Sequence, residues 1–367
     1  MKKLLLPFSI FFILCMLIFP QQSYDAARDG LIIWWEIVLP ALLPFFIGAE
    51  LLLASNAVEY MGYLLAPIMR PVFRLPGEAA LALVMGYSSG FPTGAAITAS
   101  LREKGLVDRE EGERLIAFTN NASPLFITIS VAAGILAEPQ LGYFLMSIHY
   151  GSNLLIGFFL RFFSPKKTVY YRKKNLPPQK QNSLPMGKLL KNAAQKAGGN
   201  VAIIGCYLVF FSVFTQLIET SGITGLVIKL FNLNYDIFQP LSLGVWEMTL
   251  GINAIGDNMI NLSIKVAICA ALLAWGGFSV QAQVAAMVSD TDIRTRIYFI
   301  SRFFQVVVSF ILAVMLWDHW PLIKSVISID TDILLSTAPI MIFILPMIFL
   351  VIASLIGRML IVIRNRN

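Results

Sequence analysis

The chain is 367 residues long, 57% hydrophobic and only 13% charged, with a mean hydropathy of +0.74. That balance excludes an ordinary water-soluble domain and places the chain in the bilayer. The net charge of +7 is therefore read as cytoplasmic loops that follow the positive-inside rule, with no nucleic-acid partner.

Lys2 and Lys3 precede an apolar run at 4–19, and no small-x-small cleavage site follows it. The pattern predicts an uncleaved helix with a cytoplasmic N-terminus, followed by an outer loop to residue 30. The run 31–54 is long enough to span at about 20 residues per crossing. It carries Glu36 and Glu50, each either facing the protein interior or lying near an interface. The segment 58–69 is too short to span, and Arg70 and Arg74 follow it.

Next comes Met85-Gly86-Tyr87-Ser88-Ser89-Gly90-Phe91-Pro92-Thr93-Gly94, inside the apolar run 79–100. Proline removes a backbone donor and glycine weakens a helix, so this run cannot be one unbroken helix. Two readings stay open: a kinked helix at a close packing contact, or a broken, re-entrant element facing a substrate. The span 115–137 has Asn120-Asn121-Ala122-Ser123-Pro124 at its middle. Pro124 frees the carbonyl of Asn120 from the helix ladder, and two asparagines in an apolar helix need hydrogen-bond partners. They are either interhelical glue or cavity lining. The span 141–163 closes a first repeat, 31–163, and His149 within it reads as a structural hydrogen-bonding residue.

Residues 164–197 form a basic linker rich in lysine, where Pro177, Pro178 and Pro185 argue against a compact domain. Beside a membrane such a loop attracts anionic lipid and holds its side in the cytoplasm. The second half, 198–317, repeats the plan: a span at 200–218, a short segment at 223–231, a broken element at 238–255, a second interrupted element at 260–288 and a span at 297–316. The broken elements carry Trp246-Glu247-Met248-Thr249-Leu250-Gly251-Ile252-Asn253 and Trp275-Gly276-Gly277-Phe278-Ser279-Val280-Gln281-Ala282-Gln283. A last helix at 333–363 lies in the C-terminal region, 318–367. Treating 79–100 as a hairpin from the cytoplasmic side leaves nearly every Lys and Arg on that side. The halves then run in opposite directions, as in many secondary transporters. The expected fold is an all-α polytopic membrane protein of two inverted-topology repeats with broken helices.

The motifs at 86–94 and 110–126, with those at 246–251 and 276–283, resemble the YlbJ-type sporulation integral membrane proteins of endospore formers. Their membrane segments are similar to the nucleoside-recognition gate domains of nucleoside and ferrous-iron transporters. The resemblance covers roughly 30–316. It implies a protein of the outer forespore membrane that moves dipicolinic acid from the mother cell.

Dipicolinate is a flat aromatic dianion, and half-helix N-termini suit its carboxylates. The glycine turns Ser88–Gly94 and Gly251–Asn253 are expected to supply them, in a substrate site that takes in Ser88, Ser89, Gly90, Thr93, Gly94, Glu247, Thr249, Gly251 and Asn253. Asn120, Asn121, Ser123, Gly276, Gly277, Ser279 and Gln283 complete the expected substrate site, with Phe91, Phe118, Trp246 and Trp275 flanking the ring. No Lys or Arg is expected in the middle of a span, while Glu247 is. An ionised Glu247 would repel a dianion; the open readings are a coupling acid or a neutral acid bonded to a freed carbonyl. No His-Glu-x-x-His, paired membrane aspartates or Gly-x-Ser-x-Gly occurs, so no enzyme activity is expected. The cysteines show no metal spacing, and no metal or other cofactor is expected. The expected partners are a small anionic substrate and membrane lipid; self-association stays open. A transporter explains the paired interruptions; a membrane scaffold explains the linker alone.

Overall fold

The computed structural model describes residues 2–54, 57–163 and 185–320. Among the described residues there are fifteen α-helices and no strand. Leu141–Phe163, Met186–Thr220, Leu262–Met287 and Arg296–Trp317 are each long and apolar enough to cross a membrane. The chain is an all-α polytopic membrane protein. The last expected helix, 333–363, and the linker residues 164–184 lie outside the described residues.

Helix α1 (Lys2–Ile18) meets α2 (Pro20–Ile33) at a sharp bend of 104°. From α2 the chain continues through a π-helical turn at Trp34–Val38 into α3 (Leu39–Ala54). Residues 20–30, expected as an outer loop, are therefore helical. Proline is tolerated in a first helical turn because its missing N–H has no intrahelical partner there. Ser23, Ala26 and Gly30 then recur at helical spacing as a small, buried stripe, and α2 packs on α9 (Met186–Thr220). Trp34 Nε1 donates to the Val201 carbonyl at 2.9 Å across the same contact. Pro185 likewise precedes α9 instead of excluding a helix. Residues 186–197, expected as linker, are its first turns, with Ala193 and Ala197 buried.

After the short α4 (Ala57–Phe73), α5 (Ala80–Ser89) and α6 (Thr93–Glu103) fold back on each other. Two glycines permit this. A Cβ on Gly86 would lie 3.2 Å from Gly94 Cα and would overlap the Thr119 carbonyl. Helix α7 (Arg109–Thr119) starts at an Asp108–Glu111 capping box and ends at an extended break, 120–123. The π-helix Phe126–Ile135 continues that element, and α8 (Leu141–Leu160) follows.

The same order then recurs. After α9 and the short α10 (Ile223–Leu230), α11 (Tyr235–Trp246) and α12 (Met248–Asp257) form a second hairpin. Its glycine contact is Gly251, whose Cβ would come within 2.7 Å of the Pro240 carbonyl. Helices α13 (Leu262–Trp275) and α14 (Gly277–Met287) form one bent span, with Gly276 and Gly277 in left-handed conformation at φ +76° and +77°. Helix α15 (Arg296–Trp317) closes the half.

Besides the buried contacts described below, two groups of exposed or partly buried polar contacts join elements at the two ends of the bundle. At one end Arg102 pairs bidentately with Asp292 at 2.8 and 2.9 Å, and Lys196 reaches Glu50 and Glu103. The hydrogen bond from Arg102 holds the Asp292 carboxyl below its ordinary pKa. At the other end Gln239 donates to Glu219, and Asn258 to the Asp236 carbonyl. The first group lies wholly where the charge count expects cytoplasm, the second wholly where it expects the outside.

The hairpins depend on backbone approach at glycine. Alanine is the better helix former by about 1 kcal/mol, so Gly198→Ala, which meets open space in α9, should leave the melting temperature unchanged or raise it. Gly86→Ala and Gly251→Ala meet backbone, and should cost ~3 kcal/mol or more by overpacking. Thermal unfolding of the purified variants, followed by size-exclusion recovery, reads the opposite signs.

Candidate substrate site

The four backbone breaks meet in pairs. In the first half, the turn of the α5–α6 hairpin lies on the break 120–123: Gly90, at φ +98°, sits beside Ser123, and Gly94 beside Thr119. In the second half, Gly277 lies against the backbone of Trp246, Glu247 and Met248. Phe91 connects the pairs. Its ring tip reaches Gly276, and its edge faces the His149 ring at a centroid distance of 6.5 Å.

Each break frees N–H and C=O groups that cannot stay unpaired at membrane depth. Side chains answer them one by one. Asn120 Oδ1 accepts from Ala95 N at 2.9 Å, in the first turn of α6, while its Nδ2 donates to the Ile116 carbonyl. Ala122 N donates to His149 Nε2 at 3.1 Å, and the Tyr150 hydroxyl donates to the Ala122 and Tyr87 carbonyls. Ser123 Oγ accepts from Phe126 N. In the second half, Glu247 caps α12 by accepting from Leu250 N at 2.9 Å. Trp275 Nε1 donates to the Val245 carbonyl, and Gln281 Nε2 to the Trp275 carbonyl.

The carbonyl that Pro124 was expected to free on Asn120 is indeed taken, and by a residue the sequence reading missed. Arg302, in α15, is fully buried. Its Nη1 donates to the Asn120 carbonyl at 3.1 Å, and its Nη2 donates to the Ala117 carbonyl and to Asn153 Oδ1, both at 2.7 Å. Asn153 Nδ2 in turn donates to Asn121 Oδ1. No Lys or Arg was expected in the middle of a span; Arg302 lies toward the first end of α15, yet it is buried against the break. The signal was present: Arg302, Gln305 and Ser309 recur at helical spacing inside an apolar helix, opposite His149, Ser152 and Asn153 on α8. Ser152 and Ser309 share a hydrogen bond at 2.9 Å, and Gln305 Nε2 donates to the His149 carbonyl. Among the described residues no carboxylate pairs with Arg302; its partners are neutral oxygens. Such a cation is stable there because it faces the negative end of α7.

Several buried donors around it have no hydrogen-bond partner among the described residues: the Tyr87 and Tyr298 hydroxyls, Asn121 Nδ2, His149 Nδ1 and Arg302 Nε. The Arg302 guanidinium lies over the Tyr298 ring at 5.3 Å. Asn121 lies beside the Tyr87 hydroxyl without a hydrogen bond of good geometry.

The remaining expected residues divide. Ser89 and Thr93, both buried, bond to each other at 3.1 Å, and Ser88 bonds back to Val84. Gln283 donates to Ser279 within α14. Thr249 is half-buried in the first turn of α12, but Asn253 is exposed on that helix, away from the breaks. Glu247 bonds to freed N–H groups and not to a freed carbonyl. The expected ring clamp does not assemble. Phe118 is core, stacked on Phe73 at 4.9 Å, and Trp246 and Trp275 pack on the exposed Phe278. Of the four rings, only Phe91 stands between the two pairs of breaks.

This architecture, a polytopic helical bundle with paired interrupted elements meeting at buried polar breaks, defines the class of protein. Comparison with known sequences places it within a family. The chain is 38% identical over 335 residues, 86% of its length and 82% of the relative's, to the sporulation integral membrane protein YlbJ of Bacillus subtilis. It belongs to the YlbJ family of sporulation integral membrane proteins. Residues 35–139 match the family model described as Gate: nucleoside recognition. An uncharacterised protein of Alkalihalophilus pseudofirmus is 29% identical over 117 residues, 31% of this chain and 25% of its own. No solved structure matches.

The Glu247 cap gives a direct test. Glu247→Gln keeps an acceptor for Leu250 N and should melt close to wild type. Glu247→Leu leaves a buried donor unpaired and should lose about 1–3 kcal/mol. Equal melting of both variants would show that the carboxylate does not hold the break.

Proposed function

We propose that this protein is a transporter of a small solute, that the solute is dipicolinic acid, and that it acts in the outer forespore membrane during sporulation. The observation that carries the transporter reading is the convergence of the interrupted helices. Broken backbone at membrane depth is held together by buried side chains at 90–94, 119–123, 246–251 and 276–277, an arrangement that a scaffold does not require and that marks solute sites in transporters. The sporulation family supports the substrate choice, since the resemblance implies dipicolinate. Chemistry agrees in part: the first-half break is cationic and rich in donors, whereas Glu247 at the second would repel an anion.

A nucleoside is the second reading, favoured by the description of the family model that matches 35–139. No chemistry of bond-making is assigned; the side chains described bind and orient. Proteoliposomes holding only this protein should take up labelled dipicolinate above empty vesicles. Asn121→Leu should reduce uptake by at least about tenfold with normal insertion, because it removes the amide that Asn153 holds beside the break. Uptake of uridine without dipicolinate would support the second reading. Uptake of neither would end the transporter proposal.

A further inference from the structure

We propose that the buried donors around Arg302 form a carboxylate-recognition site, in which the Tyr87 and Tyr298 hydroxyls, Asn121 Nδ2 and Arg302 Nε receive one carboxylate of an aromatic dicarboxylate. This rests on the transporter reading and adds to it the atoms that recognise the charge.

The argument is an inventory. Buried polar groups are normally paired, and each exception asks for an explanation. Other exceptions are scattered through the described residues, but those around Arg302 are clustered and, Gln305 Oε1 apart, can all donate. Tyr298, Asn121, His149 and Arg302 are all fully buried or nearly so, and each holds an unpaired donor. Tyr87 is half-buried, but its hydroxyl is enclosed. The histidine belongs with the donors because Ala122 N–H donates to Nε2 at 3.1 Å, which leaves the proton of the neutral ring on Nδ1. The unpaired acceptor nearby is Gln305 Oε1, whose own nitrogen already serves the His149 carbonyl. Among the described residues the guanidinium has no carboxylate partner, and two of its five N–H donors are left over, Nε–H and one on Nη1. A positive, donor-rich and acceptor-poor cluster fits an anion with several lone pairs, and a carboxylate offers about four. It fits a neutral nucleoside poorly, since that ligand brings donors of its own. The half-buried rings of Tyr87 and Phe91 form the side of the cluster that reaches the surface.

Arg302 also ties down the end of α7, so its removal would confuse folding with binding. The tyrosine hydroxyls separate the two. Removing an unpaired buried hydroxyl relieves an unsatisfied group, so Tyr87→Phe and Tyr298→Phe should melt at or above the wild-type temperature without ligand. If the hydroxyls hold a carboxylate, each variant should bind dipicolinate about tenfold or more weakly, as the loss of a hydrogen bond to a charged group does. The experiment is isothermal titration of the full-length protein in nanodiscs with dipicolinate, picolinate and pyridine. The proposal expects wild-type affinity in the order dipicolinate, picolinate, pyridine, with both phenylalanine variants weakened for the first two. Wild-type binding of dipicolinate that neither variant changes overturns the site and leaves the transporter reading standing. Wild-type binding of none of the three overturns both the site and the dipicolinate assignment. Variants that melt lower than wild type without ligand would show that the hydroxyls are structural, which also overturns the proposal.

Discussion

The interaction on which the first half depends is the grip of the Arg302 guanidinium on the carbonyl end of α7. The extended break after Thr119 frees the Ala117 carbonyl, Pro124 has no N–H for that of Asn120, and both carbonyls are left to side chains. Arg302 takes both and reaches Asn153 with the same nitrogen that holds Ala117. Since Arg302 belongs to α15, Asn153 to α8 and Asn120 to the break, one side chain fixes the second half against the first. The burial of a charge is tolerable because the α7 dipole presents its negative end there. The same dipole logic sets the other break. The exposed groups at α12 are N–H groups at a positive helix end, and the side chain that meets them is the carboxylate of Glu247.

The two breaks are thus alike in plan and differ in the group that answers them, a guanidinium at the first and a carboxyl at the second. The half-helix N-termini, which seem ready for a carboxylate when only glycine turns are considered, are already capped from within, α6 by Asn120 and α12 by Glu247. The free donors lie one layer behind, at Tyr87, Tyr298, Asn121 and Arg302. The proposed place of an anion is therefore set by a helix C-terminus and the cation it recruits, and only indirectly by helix N-termini.

Much of the architecture was legible because breaks at membrane depth are conspicuous. Gly86, Gly90, Pro92 and Gly94 announced the first hairpin, and the repetition of the pattern at Trp246–Gly251 announced the second. Asn120 and Pro124 were rightly singled out. What escaped reading depended on tertiary contact. Residues 20–33 are polar enough to pass for a loop, yet Ser23, Ala26 and Gly30 give them one face that fits α9. Arg302 passed unnoticed because the positive-inside rule counts residues and does not see a freed carbonyl 182 residues away in sequence. Asn253 looked equivalent to Asn120 in composition, but it falls on the exposed side of α12. The aromatic clamp failed for a similar reason: rings share an apolar surface with lipid and core alike, and only Phe91 lies where the halves meet.

The central claim is that the solute's charge is read at the Arg302 end of the first break. The most direct measurement is an experimental structure of the full-length protein in a lipid nanodisc at saturating dipicolinate. The account predicts a carboxylate within hydrogen-bond distance of the Tyr298 hydroxyl and Arg302, with the pyridine ring beside Phe91. Dipicolinate seated at the N-terminus of α12, or bound with the donors around Arg302 untouched, would contradict it.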